Sequence, residues 1–204
     1  EAWDVTKGSS NIIIAILDSG IPLNRNTLAL SHPDLDDPNK FILGPDYVGD
    51  GFGVRDSAGH GTLVTGIIAA ETNNNLGIAG VASNCKALVI QVFSANGGCL
   101  TSWFKSGVLY AVNNGAKIIN FSGGFNGFWD YWMEDAVLYA YQNNVIMTIS
   151  VGNNNQSPVE YPARFSFYGT IPGFENGYSN VIAVSATDQN DIFSAYSNKG
   201  PEVS

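Results

Sequence analysis

Three residues of this chain stand where their type and setting suit proton transfer and stabilisation of a developing anion. Asp18 ends a run of pure hydrophobes, residues 12–17. A carboxylate in that position is costly unless it is hydrogen-bonded or paired. His60 lies between Gly59 and Gly61 at a helix start, and the glycines keep neighbouring side chains off the imidazole so that a substrate can approach it. Asn153 follows Gly152 at the end of another apolar run. Each also has an ordinary structural reading: Asp18 as a cap or turn former, His60 as a polar surface residue, Asn153 as a turn residue. The other histidine, His32, precedes Pro33 in a loop and is the poorer candidate for chemistry.

The elements that must position these residues read as follows. Residues 12–17 are a continuous apolar run without alternation, as expected of a strand buried on both faces, and residues 87–93 read as a second buried strand, with further strands at residues 116–121, 145–151 and 181–186. Residues 60–70, 102–114 and 129–143 have helical patterning, the second ended by Gly115. Strands alternating with helices predict an α/β fold, a parallel sheet with helices on both faces. Chemistry in such folds gathers at the carboxyl ends of strands. Asp18-Ser19-Gly20, Gly59-His60-Gly61 and Gly152-Asn153 all fall at such turns. Residues 156–178, aromatic and punctuated by Gly and Pro, read as surface loop. No repeat or low-complexity linker divides the chain, so residues 1–204 are expected to form one domain.

Composition narrows the function classes. Apolar residues make up 45% and charged residues 13%, which excludes a disordered chain. The net charge of −9 argues against nucleic acid or an anionic membrane as partner, and suits cation binding and a soluble extracellular protein. No apolar run approaches the roughly 18 residues of a spanning helix. No signal peptide is present, as in any mature secreted form. Cys85 and Cys99 form no CxxC pair and have no histidine close by, so neither a metal nor a redox role is expected.

Ile16-Leu17-Asp18-Ser19-Gly20, Gly59-His60-Gly61-Thr62-Leu63-Val64-Thr65-Gly66 and Val151-Gly152-Asn153 resemble, in order, the aspartate, histidine and oxyanion-asparagine motifs of the subtilase family of serine proteases. The resemblance extends through His32-Pro33-Asp34-Leu35, Asn74-Asn75-Leu76-Gly77-Ile78-Ala79-Gly80-Val81, Tyr161-Pro162-Ala163 and Ser194-Ala195-Tyr196-Ser197-Asn198-Lys199-Gly200-Pro201, nearly the whole chain. There are departures. Leu63 and Thr65 replace the family's usual histidine and alanine, and neither position belongs to the triad. The substrate-strand motif, usually Ser-Leu-Gly-Gly, reads Ser122-Gly123-Gly124-Phe125. Residues 24–31 and 164–178 look like insertions. The Gly-Thr-Ser-Met-Ala motif that carries the family's nucleophile would lie beyond Pro201, and Ser122, Ser150 and Ser204 do not stand in that context. The usual N-terminal arm before Glu1-Ala2-Trp3 is also missing. The chain is therefore expected to be a partial peptidase domain, with the catalytic serine on a missing C-terminal segment or a second chain.

The resemblance implies a serine endopeptidase that works through an acyl-enzyme. Its catalytic residues here are His60 as general base and then acid, Asp18 as the group that fixes the imidazole tautomer, and Asn153 as an oxyanion donor. An extended polypeptide substrate is expected along the backbone of Cys99, Leu100 and Thr101 on one side and of Phe121, Ser122, Gly123 and Gly124 on the other. Phe93, Thr101 and Phe104 are expected to line an apolar pocket, and Ser150, Val151 and Gly152 one wall of the primary pocket. The resemblance also implies structural calcium, held by Asp34 and Asn74 with the carbonyls of Thr72, Leu76 and Ile78, hard oxygen donors that suit it. No organic cofactor is expected. A propeptide partner and a secreted location follow from the same likeness. Two other classes remain open. An inactive pseudoprotease or binding module would keep the cleft without the nucleophile. A nucleotide-binding protein would use residues 59–61 as a phosphate turn, although full phosphate-loop spacing and a following lysine are lacking. The cysteines lie at opposite ends of a strand of about 20 Å, too far for the roughly 7 Å that a disulfide allows. They are expected to be free thiols, with Cys99 the more reactive.

Overall fold

Five consecutive apolar or small residues lead into Asp18, and in the computed structural model the six form the strand β1 (Ile13–Asp18), buried at its last five positions. The structure describes residues 2–203. Glu1 and Ser204, both mentioned above, lie outside the described residues. The chain divides into two compact units, residues 1–117 and 118–204.

In the first unit, β1 pairs in parallel with β3 (Lys86–Gln91), Ile13 opposite Lys86 and Asp18 opposite Gln91. On the far side of β3 runs β2 (Phe41–Asp46), also parallel, with a register shift between Leu43 and Asp46. The helices are α1 (Ala2–Val5), α2 (His60–Ala69) and α3 (Thr101–Asn113). Successive strand residues point to opposite faces, and β1 uses both. Ile16 packs in a cluster with Ala69, Ala70, Val64 and Ile68 at α2. Leu17 packs on α3, where a Cβ at Gly107 would lie 3.0 Å from Leu17 and Val92. The strand is thus sandwiched between helices on its two faces, as the continuous apolar run requires.

In the second unit, β4 (Ile118–Phe121), β5 (Ile146–Ser150) and β6 (Val181–Val184) run parallel in that order. Between β4 and β5 runs α4 (Tyr131–Gln142), whose first turn is capped by the Asp130 carboxylate accepting from Trp132 N–H at 2.8 Å. A short 3-10 turn spans Ala163–Ser166. Six parallel strands with helices give the expected α/β class.

Two expectations need correction. The strand β2 is absent from the sequence reading, because Gly44 and Pro45 interrupt its apolar pattern. Proline is tolerated there because β2 pairs only with β3 and leaves its other edge free of ladder bonds. Residues 156–178 are not a surface loop. Val159, Tyr161, Phe165 and Tyr178 are buried, and Phe174 stacks on Tyr178 with ring centroids 4.6 Å apart.

Candidate active site

Asp18 is the last residue of β1 and is fully buried. Its Oδ1 accepts from Ser19 N–H and from His60 Nδ1, both at 2.7 Å, while its Oδ2 has no partner among the described residues. A carboxylate only accepts, so Nδ1 carries the proton and the lone pair of the neutral imidazole lies on Nε2. The His60 side chain remains 54% exposed. Asp18 is the only described residue hydrogen-bonded to it. Phe93 meets the ring edge-on, with centroids 6.5 Å apart at 81°. The hydrogen bond to Asp18 raises the His60 pKa above 6.5; burial opposes the shift, and the charges of Asp18 and Asp56 add to it.

His60 is aimed by a network that the sequence did not announce. Asp56 accepts from Ala58 and Gly59 N–H at 3.0 and 2.8 Å, from Thr62 N–H at 2.8 Å, from Thr62 Oγ1 at 2.5 Å and from Ser19 Oγ at 2.9 Å. The Ser19 hydroxyl in turn accepts from Gly61 N–H at 2.8 Å. Burial pushes the Asp56 carboxyl up, but these hydrogen bonds outweigh it and hold the carboxyl below its ordinary range. A carboxylate at a helix N-terminus also meets the positive end of the helix dipole. Gly59 adopts φ +86, the left-handed region that glycine favours. Gly61 has a different reason from the one inferred above: a Cβ there would sit 2.3 Å from Gly20 O, so it lets the helix start close on the β1 turn rather than clearing a path for substrate.

Of the expected substrate residues in the first unit, Leu100 is exposed, Cys99 is half-buried and Thr101 opens α3. Phe104 is fully buried on the inner face of α3, so its side chain is core and does not line an open pocket. Both cysteines are free, as expected. Cys99 is the more accessible of the two, Cys85 being buried; burial pushes the Cys99 thiol up to about 12, which disfavours the reactive thiolate. His32 is occupied in a turn, its Nδ1 accepting from Asp34 N–H at 3.2 Å.

Asp34 is almost fully buried. Its Oδ1 accepts from Asn74 Nδ2 at 2.7 Å and its Oδ2 from Ile78 N–H at 3.0 Å, so the loop of residues 72–78 folds over it. Asn74 Oδ1 accepts from Leu76 N–H at 3.2 Å. One carboxylate, one amide oxygen and nearby carbonyls fit a hard cation in donor type. No cluster of three or more His, Cys, Asp or Glu side chains occurs among the described residues.

In the second unit, Asn153 is exposed just after β5, and its side-chain amide has no partner among the described residues. The buried Asn198 pins the loop that carries it. Asn198 Nδ2 donates to Val151 O at 2.9 Å, and its Oδ1 accepts from Asn154 and Gln156 N–H at 2.9 and 3.1 Å. Ser150 ends β5, and its Oγ donates to Gly123 O at 3.3 Å, joining the expected substrate strand to the expected pocket wall. Phe121 is buried and stacks on Phe125 at 6.3 Å.

Known proteins are similar to this chain. The subtilase family profile matches residues 9–204. A thermophilic serine proteinase of Bacillus sp. (strain AK1) is 39% identical over 98% of this chain and 44% of its own length. Thermitase of Thermoactinomyces vulgaris is 36% identical over 100% of this chain and 64% of its own. The chain thus spans about half the length of these relatives. Among solved structures, a protease from Pseudoalteromonas arctica PAMC 21717 superposes with a TM-score of 0.79 at 28% identity, covering 99% of this chain and 63% of that one. The chain belongs to the subtilase family.

Proposed function

We propose that the complete protein is a serine endopeptidase. The observation that carries this is the 2.7 Å bond from His60 Nδ1 to the fully buried Asp18, which leaves the opposite nitrogen of a half-exposed ring as the base. His60 takes the proton of a serine hydroxyl lying outside residues 1–204, in a further segment or a second chain, and later gives it to the leaving amine. Asp18 holds the tautomer and stabilises the imidazolium. Asn153, exposed and uncommitted, donates its amide to the tetrahedral oxyanion. A polypeptide substrate lies extended along residues 99–101 and 121–124, with residues 150–152 as one wall of the primary pocket. The relatives' names describe serine and alkaline proteases, one of them extracellular, which supports a secreted location. A propeptide partner is part of the same proposal. No described helix is long and apolar enough to cross a membrane.

The test is labelling of the complete protein with a serine-directed phosphonate or sulfonyl fluoride, alongside casein hydrolysis. His60→Ala is expected to abolish both, and His32→Ala to leave them nearly intact. If the His32 change is the lethal one, the site is misassigned. Asp34 and Asn74, with carbonyls of Thr72, Leu76 and Ile78, are proposed to hold calcium, which would tie the loop of residues 72–78 to Asp34. The melting temperature of the complete protein should then fall with chelator and recover with calcium, and indifference to both would remove the ion from the account.

A further inference from the structure

Glu160 is 7% exposed. Two backbone bonds place it: its N–H donates to Val151 O at 3.1 Å, and Phe125 N–H donates to Tyr161 O at 2.7 Å. These bonds draw residues 160–161 toward the segment 121–124, proposed above to run along the substrate backbone, and toward residues 150–152, proposed as one wall of the primary pocket. The side chain meets both. A Cβ added at Gly124 would stand 2.4 Å from Glu160 Oε2, and one added at Gly152 would stand 2.5 Å from its Cδ and 2.6 Å from Oε1. Gly124 is exposed and Gly152 half-buried, so neither segment puts a side chain between the carboxylate and an incoming group.

The carboxylate is short of partners. Asn154 Nδ2 donates to Oε1 at 2.6 Å, and no second hydrogen bond reaches it among the described residues. No lysine or arginine among the described residues pairs with it. Arg164, the nearest in sequence, points Nε toward Glu202 at 3.9 Å and lies over the rings of Tyr161 and Tyr168. Glu134 in the same unit shows the contrast: also buried, it accepts from Trp129 Nε1, Thr170 N–H and Oγ1, Ile171 N–H and Tyr178 OH. Glu134 is a satisfied structural carboxylate. Glu160 accepts this one side-chain hydrogen bond and meets no cation among the described residues, which leaves its remaining lone pairs open to an incoming donor.

We propose that Glu160 determines specificity at the primary pocket, and that the enzyme cleaves after arginine or lysine. The proposal rests on the serine endopeptidase reading above. A basic side chain entering between Gly124 and Gly152 supplies the missing cation, and a guanidinium can engage the carboxylate through two hydrogen bonds.

The experiment uses the complete enzyme and peptides that differ only at the residue before the scissile bond: arginine, lysine, norleucine or phenylalanine. Norleucine keeps the length of lysine without its charge. Arginine and lysine peptides are expected to exceed norleucine in kcat/KM by about tenfold or more, because the pocket's buried polar group is left unpaired by the neutral chain. Glu160→Gln should erase that margin while moving the norleucine and phenylalanine rates by less than about threefold. Should Glu160→Gln fail to fold, inhibition of the native enzyme by a peptidyl argininal against the matching norleucinal reads the same preference. Equal rates for arginine, lysine and norleucine overturn the proposal, as does a Glu160→Gln variant that slows every peptide alike. Hydrolysis without a basic preference overturns this inference alone. No hydrolysis of any peptide and no labelling by a sulfonyl fluoride overturns the peptidase reading together with it.

Discussion

A hydrogen bond between a buried carboxylate and a half-exposed imidazole fixes both the orientation of the ring and its affinity for protons. The His60 pKa is raised chiefly by its bond to Asp18. Protonation of His60 therefore favours the folded state below the ordinary value of 6.5, and that contribution is lost as pH rises through the raised value. Catalysis needs the neutral ring, so activity should rise over the same window. The acid limb of kcat/KM is expected above pH 6.5, and a limb at or below it would contradict the assignment. Asp18→Asn removes the group that selects the tautomer and should lower kcat by about 10^4-fold, the loss known for the corresponding change in a triad protease. Asn153→Ala should lower kcat by about 10^2-fold or more with KM nearly unchanged, because the oxyanion exists only in the transition state; that figure is the one known for a subtilisin. Asp18, His60 and Asn153 were singled out from the sequence because each sits in a run of small or apolar neighbours with a recognisable order, and the structure joins the first two. Asp56, Asn198 and Glu160 were not. Nothing local marks an aspartate four residues before a histidine as its helix anchor, and an asparagine 44 residues from its partner becomes a clamp only through the fold.

At the scale of elements, legibility followed burial. Strands packed on both faces carry unbroken apolar runs, so β1 and β3 were read to within a residue or two at each end; β5 was read as closely, although only its alternate residues are buried. The edge strand β2 has one unpaired side, accepts Gly44 and Pro45, and therefore leaves no periodic trace. The segment 156–178 failed for the opposite reason. Its glycines and prolines read as loop, yet its aromatic rings form a core of their own around Tyr178. Glu134 fixes that segment to α4. Burial would raise its pKa, but the hydrogen bonds from Thr170, Trp129 and Ile171 prevail and hold it below 4.5. The stability it contributes is present above the ordinary carboxyl value and is lost as pH falls through the depressed one. Glu134→Gln keeps the shape but loses the charge-assisted bonds, and should cost about 2 kcal/mol at neutral pH. Melting curves of the complete protein between pH 7 and pH 3 check this. The gap between native and variant should narrow on the acid side, and a gap independent of pH would mean that the carboxylate is not charged in the fold.

At the scale of the whole chain, the distribution of apolar surface bears on what residues 1–204 can do by themselves. In β5 and β6 alternate residues face opposite ways. Met147, Ile149, Val181 and Ala183 are buried, whereas Ile146, Ile182 and Val184 on the other face are 44%, 38% and 47% exposed. The pairing of Thr148 with Ile182 and of Ser150 with Val184 makes that face continuous across the two strands. Adjoining exposed hydrophobes on a sheet mark a surface that needs cover, and without it they favour association. A base without its nucleophile, moreover, leaves only the residual stabilisation of the oxyanion donor and binding. Residues 1–204 expressed alone are therefore expected to bind a hydrophobic dye, to aggregate at concentrations where the complete protein stays soluble, and to show no casein hydrolysis. Supplying a segment that carries the Gly-Thr-Ser motif, in the same chain or as a second one, should restore solubility and labelling by a sulfonyl fluoride together, since one packed segment provides both the cover and the serine. Restoration of solubility without labelling would separate the two roles. Casein cleavage by the purified 1–204 piece would place the nucleophile among residues assigned here to other work.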